Sequence, residues 1–203
     1  MVTEISEERI AGVQNALFEE LSIENVGLAA SFSVNPSSCG NSDFYKEYLL
    51  FNAISYQNSG RNTTHLFIDK DANRIMGFVS LRASSLLKQK DGGKYLGDPA
   101  LEVSVLAVDQ EYERRGVGSA LIDFVLSEVV ELHEHFLGIQ YVILAADEKA
   151  IGFYKKMGFS SFADYWEGIP KDNWSLECDP MFMELDFESG SVQTFYDELD
   201  DEE

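Results

Sequence analysis

Residues 112–120, Tyr-Glu-Arg-Arg-Gly-Val-Gly-Ser-Ala, connect two patterns of different periodicity. They follow an apolar run from Leu101 to Val108 and precede a helical pattern from Val117 to Glu134. This order predicts a strand, a short loop and then a helix. The first turn of a helix has free backbone N–H groups, and the helix dipole adds partial positive charge there, so such a loop favours an anion.

The composition of the loop also favours an anion site. Gly116 and Gly118 leave room for a phosphate to approach the backbone, and Arg114 and Arg115 add mobile positive charge. Two adjacent arginines are unusual in a chain whose formal net charge is −21. A surface turn that only caps a helix is the alternative interpretation, because glycine-rich turns before helices are common.

A second strand and helix follow further along the chain. Residues 141–146, Tyr-Val-Ile-Leu-Ala-Ala, have the apolar character of a buried strand, and the run from Glu148 to Met157 has a helical pattern. Gly158 then ends this helix, as a glycine just past the last helical turn commonly does. The pattern strand, anion loop, helix, strand, helix therefore extends from Leu101 to Phe159.

Taken together, the two segments resemble the GNAT superfamily of N-acetyltransferases. Residues 114–121, Arg-Arg-Gly-Val-Gly-Ser-Ala-Leu, are similar to its pyrophosphate-binding loop, usually Gln/Arg-x-x-Gly-x-Gly/Ala. Residues 150–159, Ala-Ile-Gly-Phe-Tyr-Lys-Lys-Met-Gly-Phe, are similar to its Ala-x-x-Phe-Tyr-x-x-x-Gly-Phe helix. One departure is Glu113, where the family usually has Gln or Arg. Since the family's loop contacts pyrophosphate mainly through backbone amides, Glu113 concerns affinity more than function.

The upstream sequence resembles one branch of that superfamily. Residues 38–44, Ser-Cys-Gly-Asn-Ser-Asp-Phe, precede a helical stretch to Ser55 and are similar to a Cys-Gly-Asn-x-x-Leu/Phe segment that opens the second helix of that branch. The branch includes bacterial toxins that acetylate aminoacyl-tRNA, and members whose substrates are unknown. The resemblance implies a structural role for Cys39, whereas a nucleophilic thiol would need a partner base, and the chain has three histidines.

The resemblance implies an α/β fold with a mixed, mostly antiparallel sheet that splays between its fourth and fifth strands and is flanked by helices. The acetyltransferase domain is expected over residues 26–187, after a helical extension at 1–25 and before an acidic tail at 188–203. Thr3 or Ser6 would cap a helix through Leu21. That helix would present one apolar face, formed by Ile5, Ile10, Val13, Leu17 and Leu21. Strands are expected at 28–34, 64–68, 75–81, 101–108, 141–146 and 181–187.

Two loops are expected beside the active site. Residues 88–99 contain Asp91-Gly92-Gly93 and Gly97-Asp98-Pro99, which predicts a flexible loop. Residues 160–180 carry Tyr165, Trp166 and Trp174, and this loop either shapes a substrate pocket or covers an edge of the core.

The resemblance also implies acetyl-coenzyme A as cosubstrate, without a metal. The backbone of residues 106–108 would bind the pantetheine arm as an added strand does, and the glycine loop would bind the pyrophosphate. The cofactor-binding residues expected on this basis are Leu106, Ala107, Val108, Arg114, Arg115, Gly116, Val117, Gly118, Ser119, Ala146, Lys149 and Phe153.

Acyl transfer from a thioester to an amine needs a base for the amine and an acid for the leaving thiolate. The resemblance offers Tyr154 as the acid, with packing between helix and strand as the alternative. Glu102 is the candidate base, because a carboxylate in an otherwise apolar strand is costly to bury without a use or a partner. A solvated glutamate at a strand edge is the alternative for Glu102.

Composition limits the class of partner. The chain has 203 residues, with 15 Lys and Arg against 36 Asp and Glu. This excess of acid disfavours a long nucleic-acid groove and favours a cationic amine or peptide as acceptor, although acetylation of charged tRNA stays open. The two cysteines match no metal spacing, and no apolar run approaches the ~20 residues that span a membrane. We therefore expect a cytoplasmic monomer or homodimer, either an N-acetyltransferase or a non-catalytic coenzyme A-binding module.

Overall fold

The computed structural model of the chain describes residues 10–39, 41–90, 93–162 and 178–187. The aromatic residues of the 160–180 loop and the acidic tail at 188–203 lie outside the described residues. The expectations about them therefore stay predictions.

Within the described residues, seven strands form one sheet in the order β1-β2-β3-β4-β5-β7-β6. Neighbouring strands are antiparallel, except that β4 and β5 are parallel. The strands are β1 (Ala16–Glu20), β2 (Thr63–Asp69), β3 (Arg74–Lys90), β4 (Lys94–Val108), β5 (Tyr141–Asp147), β6 (Ser160–Ser161) and β7 (Cys178–Glu184).

Helices cover both faces of the sheet. On one face, α1 (Ser42–Glu47) continues through a π-helical segment (Tyr48–Ala53) into α2 (Ile54–Asn58). On the other face lies α3 (Val117–His135), and α4 (Ile151–Lys156) follows β5. Two short 3₁₀ helices, Val26–Ser31 and Glu148–Ala150, complete the described helices.

A glycine on β3 lets α3 lie close to the sheet. A Cβ at Gly77 would lie 2.9 Å from the carbonyl oxygen of Ala107 and 2.9 Å from Leu121 Cδ1. Because any side chain at this position would push α3 and β4 apart, Gly77 sets the position of α3 against the strand that precedes it.

The sheet opens between β4 and β5. The parallel register extends from Ala100 opposite Tyr141 to Val103 opposite Leu144 and ends there. Beyond this point β4 pairs only with β3, whereas β5 continues against β7. The splay predicted between the fourth and fifth strands is confirmed.

The strand β4 also carries a β-bulge at the opening. Ser80 lies opposite Val105 and Leu81 lies opposite Val103, which leaves Ser104 as the extra residue. Leu101 and Val103 belong to the core beneath α3, and after the bulge it is Leu106 and Val108 that pack against this core. The bulge therefore exchanges the two faces of the strand.

The helix expected up to Leu21 is wrong for residues 16–20, which form β1 and pair with β2. The apolar spacing misled because a strand uses alternate residues. Phe18 is buried and stacks on Phe67 and Phe124, whereas Leu17 is only half-buried. Residues 16–20 are thus an edge of the sheet and not part of a helical extension.

Two further sequence expectations are wrong. The strand expected at 28–34 is largely the 3₁₀ helix Val26–Ser31, whose Ala29 is buried in the core beneath α1. The flexible loop expected at 88–99 is mostly a hairpin of β3 and β4. There Gly97 admits a close cross-strand neighbour, since its Cβ would lie 3.3 Å from Ser85 Cβ. Glycine at this position reflects packing between strands and not loop flexibility.

The remaining expectations hold with shifted ends. The strands expected at 64–68, 75–81, 101–108 and 141–146 correspond to β2, β3, β4 and β5, and the helices after the two motifs correspond to α3 and α4. The last strand, β7, begins at Cys178 and ends at Glu184, a little earlier than the expected range 181–187.

Candidate active site

A cavity of about 650 Å³ lies where β4 and β5 separate. It reaches both helix layers, from α1 on one face of the sheet to the first turn of α3 and the end of α4 on the other. Its lining residues are Val34, Ser38, Cys39, Phe44, Tyr45, Val103, Ser104, Val105, Leu106, Ala107, Val108, Glu113, Arg114, Gly116, Gly118, Ser119, Leu144, Ala145, Asp147, Lys149, Ala150, Phe153, Tyr154 and Cys178.

The loop between β4 and α3 has the geometry of an anion site. Gly116 precedes the helix with φ +93°, a left-handed conformation that favours glycine. Arg114 also has a positive φ, 61°, which turns the chain tightly before the helix. The first turn of α3 therefore opens toward the cavity with backbone N–H groups that have no partner inside the helix.

A buried carboxylate at Asp109 anchors the start of this loop. Asp109 is 0% exposed and accepts hydrogen bonds from the backbone N–H groups of Ser33, at 2.9 Å, and Glu111, at 3.0 Å. Arg74 lies 3.6 Å from the same carboxylate. Sequence reasoning missed Asp109, and the available signal was an acidic residue directly after an apolar strand.

Gly118 was expected to leave room for a phosphate, but in the structure it leaves room for a side chain of α4. A Cβ at this position would lie 3.3 Å from Phe153 Cζ, so glycine here admits the ring of Phe153 between α3 and α4. Gly118 still lines the cavity. Because Gly118 has no side chain, the start of α3 and the Phe153 ring of α4 can pack closely against each other.

Most of the expected cofactor-binding residues line the cavity. Val117 and Ala146 do not, since each is 1% exposed and lies in the core. Arg115 is directed elsewhere, with its Cζ 5.4 Å from the ring centroid of Tyr112. The expected residues that do line the cavity are Leu106, Ala107, Val108, Arg114, Gly116, Gly118, Ser119, Lys149 and Phe153, together with the proposed acid Tyr154.

Glu102 does not lie among the lining residues. Its carboxylate is 2.5 Å from the guanidinium of Arg82 on the neighbouring strand. The even spacing from Glu102 to Leu106 and Val108 predicts one common face, but the bulge at Ser104 places Glu102 on the opposite face. The ion pair with Arg82 offsets the free-energy cost of placing the Glu102 carboxylate on β4.

Two tyrosine hydroxyl groups stay protonated in the cavity. Tyr154 is 7% exposed, and burial together with the nearby Tyr45 raises the pKa of its hydroxyl. Burial also raises the pKa of Tyr45 to about 12, with Cys39, Asp147 and Cys178 adding to the effect. Both groups can therefore donate hydrogen bonds at neutral pH. Tyr45 was missed, although it directly follows the residues that resemble the helix-opening segment.

Lys149 joins the two walls of the cavity mouth. Its Nζ donates to the carbonyl oxygens of Cys39, at 3.4 Å, and Pro36, at 3.5 Å. Burial raises the pKa of the Cys39 thiol, whose Sγ lies 3.8 Å from the carbonyl oxygen of Asn35. A protonated, buried thiol fits the structural role expected for Cys39.

Two structural features are absent from the described residues. No group of three or more His, Cys, Asp or Glu side chains there is arranged to hold a metal ion. Among the described helices, none combines the length and the apolar character that crossing a membrane requires.

The model of the Acetyltransferase (GNAT) family matches residues 29–159. A mycothiol acetyltransferase of Propionibacterium freudenreichii subsp. shermanii is 39% identical over 67 residues, which are 32% of this chain and 20% of that relative. The match thus spans only a fifth of the relative's length.

Solved structures share the fold. A bacterial toxin has a TM-score of 0.65 at 20% identity, covering 92% of this chain and 96% of that chain. A mutant of KacT has a TM-score of 0.65 at 18% identity, covering 89% and 99%. AtaT complexed with acetyl-methionyl-tRNAfMet has a TM-score of 0.64 at 17% identity, covering 90% and 99%.

These likenesses confirm the splayed α/β fold that the sequence predicts. The family model covers more than half of the chain and contains the glycine loop, β5 and α4. The chain belongs to the GNAT family of acetyltransferases.

Proposed function

We propose that this protein moves an acetyl group from acetyl-coenzyme A directly to an amine. The observation that carries this proposal is a single cavity that joins the first turn of α3, the free edge of β4 and the buried Tyr154. An anion site suits the pyrophosphate, an unpaired strand edge suits the pantetheine arm, and a protonated hydroxyl suits the leaving sulfur of such a transfer.

The residues present fit coenzyme A. Residues 106–108 of β4 have no strand partner on the β5 side, so their backbone groups can bind the amides of a pantetheine arm. The first turn of α3 offers N–H groups to the pyrophosphate, and Arg114 adds a charge-assisted contact. Lys149 and Phe153 border the same path. We assign Arg115, Val117 and Ala146 a supporting part, through the loop and the packing beneath it.

Tyr154 is the proposed acid. The amine nitrogen forms a bond to the thioester carbonyl carbon, the carbon–sulfur bond breaks, and the Tyr154 hydroxyl gives its proton to the departing sulfur. The amine gives one proton to water and the Tyr154 phenolate takes one back from water, so the products are the amide and free coenzyme A. Burial raises the pKa of this hydroxyl, which keeps it protonated and able to donate a hydrogen bond to the departing sulfur, but also makes it a weaker acid than an exposed tyrosine.

Glu102 is the candidate base for the amine. Its ion pair with Arg82 would have to open first, and it would have to act through water. Glu102→Gln tests this role, with Arg82→Gln as the matched control for loss of the ion pair. A fall of about 10²-fold in kcat/KM for Glu102→Gln alone supports a base. Equal, small effects of both variants assign Glu102 to the ion pair.

Acetylation of an aminoacyl-tRNA is the second candidate function. It draws on the fold shared with AtaT, which is complexed with acetyl-methionyl-tRNAfMet. The formal net charge of −21 weighs against it, since tRNA binding relies on Lys and Arg. A salt-sensitive mobility shift with charged tRNA would favour this candidate over a small or peptidic amine.

The deciding experiment measures thiol release from acetyl-coenzyme A with amines, peptides and charged tRNA. Calorimetry of coenzyme A binding accompanies it, with Gly116→Glu as the test variant. Gly138→Glu is the matched control, because Gly138 is exposed, has open space around it and does not line the cavity. We expect Gly116→Glu alone to abolish binding. Unchanged binding in Gly116→Glu would refute the cofactor assignment, and binding without turnover on any acceptor would indicate a non-catalytic module.

A further inference from the structure

A chain of buried and partly buried hydrogen bonds reaches the cavity from the α1 side of the sheet. Asn62 Nδ2 donates to the hydroxyl oxygen of Tyr48 at 3.0 Å and to Ser104 Oγ at 2.8 Å. Ser104 Oγ donates in turn to the carbonyl oxygen of Ser80 at 3.0 Å. Asn62 is 8% exposed and Tyr48 is 4% exposed, so this chain is fixed by its surroundings.

Every proton that Asn62 Nδ2 and Ser104 Oγ can donate in this chain is used. An amide nitrogen has two protons, and those of Asn62 go to Tyr48 and Ser104. A serine hydroxyl has one proton and two lone pairs, and the proton of Ser104 goes to Ser80. One lone pair of Ser104 accepts from Asn62, so the remaining lone pair is the only hydrogen-bonding capacity that Ser104 Oγ still has. Ser104 is therefore held as an acceptor.

Ser104 also lies at the point where β4 and β5 separate. It is the bulged residue of β4, at the end of the pairing with β5, and it lines the cavity. Its hydroxyl is bonded toward Tyr48, in the helix layer opposite α3. The anion loop and Tyr154 approach the cavity from the α3 side instead. A group that contacts Ser104 Oγ is thus on the side away from the cofactor site.

We propose that Ser104 Oγ accepts a hydrogen bond from the incoming amine, and that Asn62 is a positioning residue that holds Ser104 in this orientation. This inference rests on the proposed function. A hydroxyl without a free proton cannot bind the acetyl carbonyl oxygen, which is itself an acceptor. An amine N–H is a donor and fits. Holding one N–H at Ser104 directs the nitrogen lone pair away from the strand and toward the thioester carbon.

The test compares three variants in steady-state kinetics with methioninamide and spermidine as probe amines. Ser104→Ala removes the acceptor and Ser104→Thr restores a hydroxyl. Asn62→Asp replaces the amide donor with a carboxylate, so the Ser104 proton turns toward residue 62 and the lone pairs of Ser104 are redirected. Thr64→Val is the matched control: it deletes a buried hydrogen bond, Thr64 Oγ1 to Ser80 Oγ at 2.8 Å, in a residue that does not line the cavity.

We expect Ser104→Ala to raise the KM for the amine about 10-fold, as for one lost hydrogen bond that leaves a polar group unpaired. The Kd for coenzyme A should not change, Ser104→Thr should recover most of the loss, and Asn62→Asp should raise the amine KM by less than Ser104→Ala, because it redirects the acceptor without removing it. Thr64→Val should keep the parental amine KM. An unchanged amine KM in Ser104→Ala, or a rise shared by Thr64→Val, overturns the inference alone. A parent protein that binds coenzyme A but acetylates neither probe overturns the inference, whereas loss of coenzyme A binding in the parent itself overturns the proposed function.

Discussion

Replacing Gly77 with alanine tests whether close packing of α3 places the anion loop. The added Cβ would lie 2.9 Å from a backbone oxygen, 2.9 Å from Leu121 Cδ1 and 3.1 Å from Val117 Cγ1. Carbon atoms prefer separations of about 3.5–4.0 Å, so α3 or β4 must move by roughly half an ångström or more. Overpacking of a core costs about 1–3 kcal/mol. We expect the upper end, because the backbone oxygen cannot move away as a side chain can.

This loss of stability can be measured as a fall in the melting temperature. For a domain of this size 1 kcal/mol corresponds to about 2–4 °C, so Gly77→Ala should melt roughly 6–12 °C below the parent. Thermal unfolding followed by circular dichroism measures this shift. Gly152→Ala is the matched control: Gly152 lies in α4 with nothing within 4 Å, and alanine there should raise stability by about 0.5 kcal/mol.

The binding of coenzyme A then separates a local from a global effect. Gly77→Ala should bind coenzyme A more weakly even well below its melting temperature, because the added Cβ displaces β4 or α3, the two elements that the anion loop connects. Parental melting and parental affinity in Gly77→Ala would refute the argument that this glycine determines the position of α3.

Three further predictions concern the site and the core. Tyr154→Phe keeps the packing of the ring and removes one oxygen, so we expect nearly unchanged affinity for acetyl-coenzyme A and a chemical rate about 10²-fold lower in single-turnover measurements; equal losses of binding and rate would indicate a packing residue instead. Arg114→Ala should raise the coenzyme A Kd about 10-fold in calorimetry, because Arg114 lines the cavity, whereas Arg115→Ala should have a smaller effect because Arg115 stacks on Tyr112; the reverse order would contradict the placement of the two side chains. Burial lowers the pKa of His65, so the unfolded chain takes up a proton there before the folded one does, and the free energy of unfolding should fall as pH decreases below about 6.5. Denaturant titrations of His65→Gln should show a shallower fall over the same pH range, and an identical slope would exclude this contribution.

The parts that the sequence predicted well are those held together by local chemistry. The helix α3 follows a glycine turn and carries a regular apolar stripe, and α4 ends two residues before Gly158, which has φ +92°. Both features depend on neighbours within a few residues. The loop that contains Gly116 was predictable for the same reason.

The parts that were missed depend on distant partners or on one irregular residue. Nothing in the pattern of β4 shows that Ser104 is bulged, and this single residue reverses the expected face of Glu102. The roles of Asp109 and Asn62 depend on their hydrogen bonds with Ser33 and Tyr48, which are distant in the chain. Such contacts cannot be derived from periodicity, because the separation in sequence carries no information about them.

The short parallel register between β4 and β5 has a mechanical consequence. The sheet consists of two parts, β1 to β4 and β5 to β7, and their direct hydrogen bonding ends at Val103 and Leu144. A ligand bonded to the β4 edge and packed against Tyr154 would bridge the parts and act as a removable strand. Its binding energy would add to the cooperativity of unfolding, since a ligand that binds only the folded state stabilises it by mass action. Amides near the split would then exchange hydrogen more slowly with the cavity filled than in the free protein.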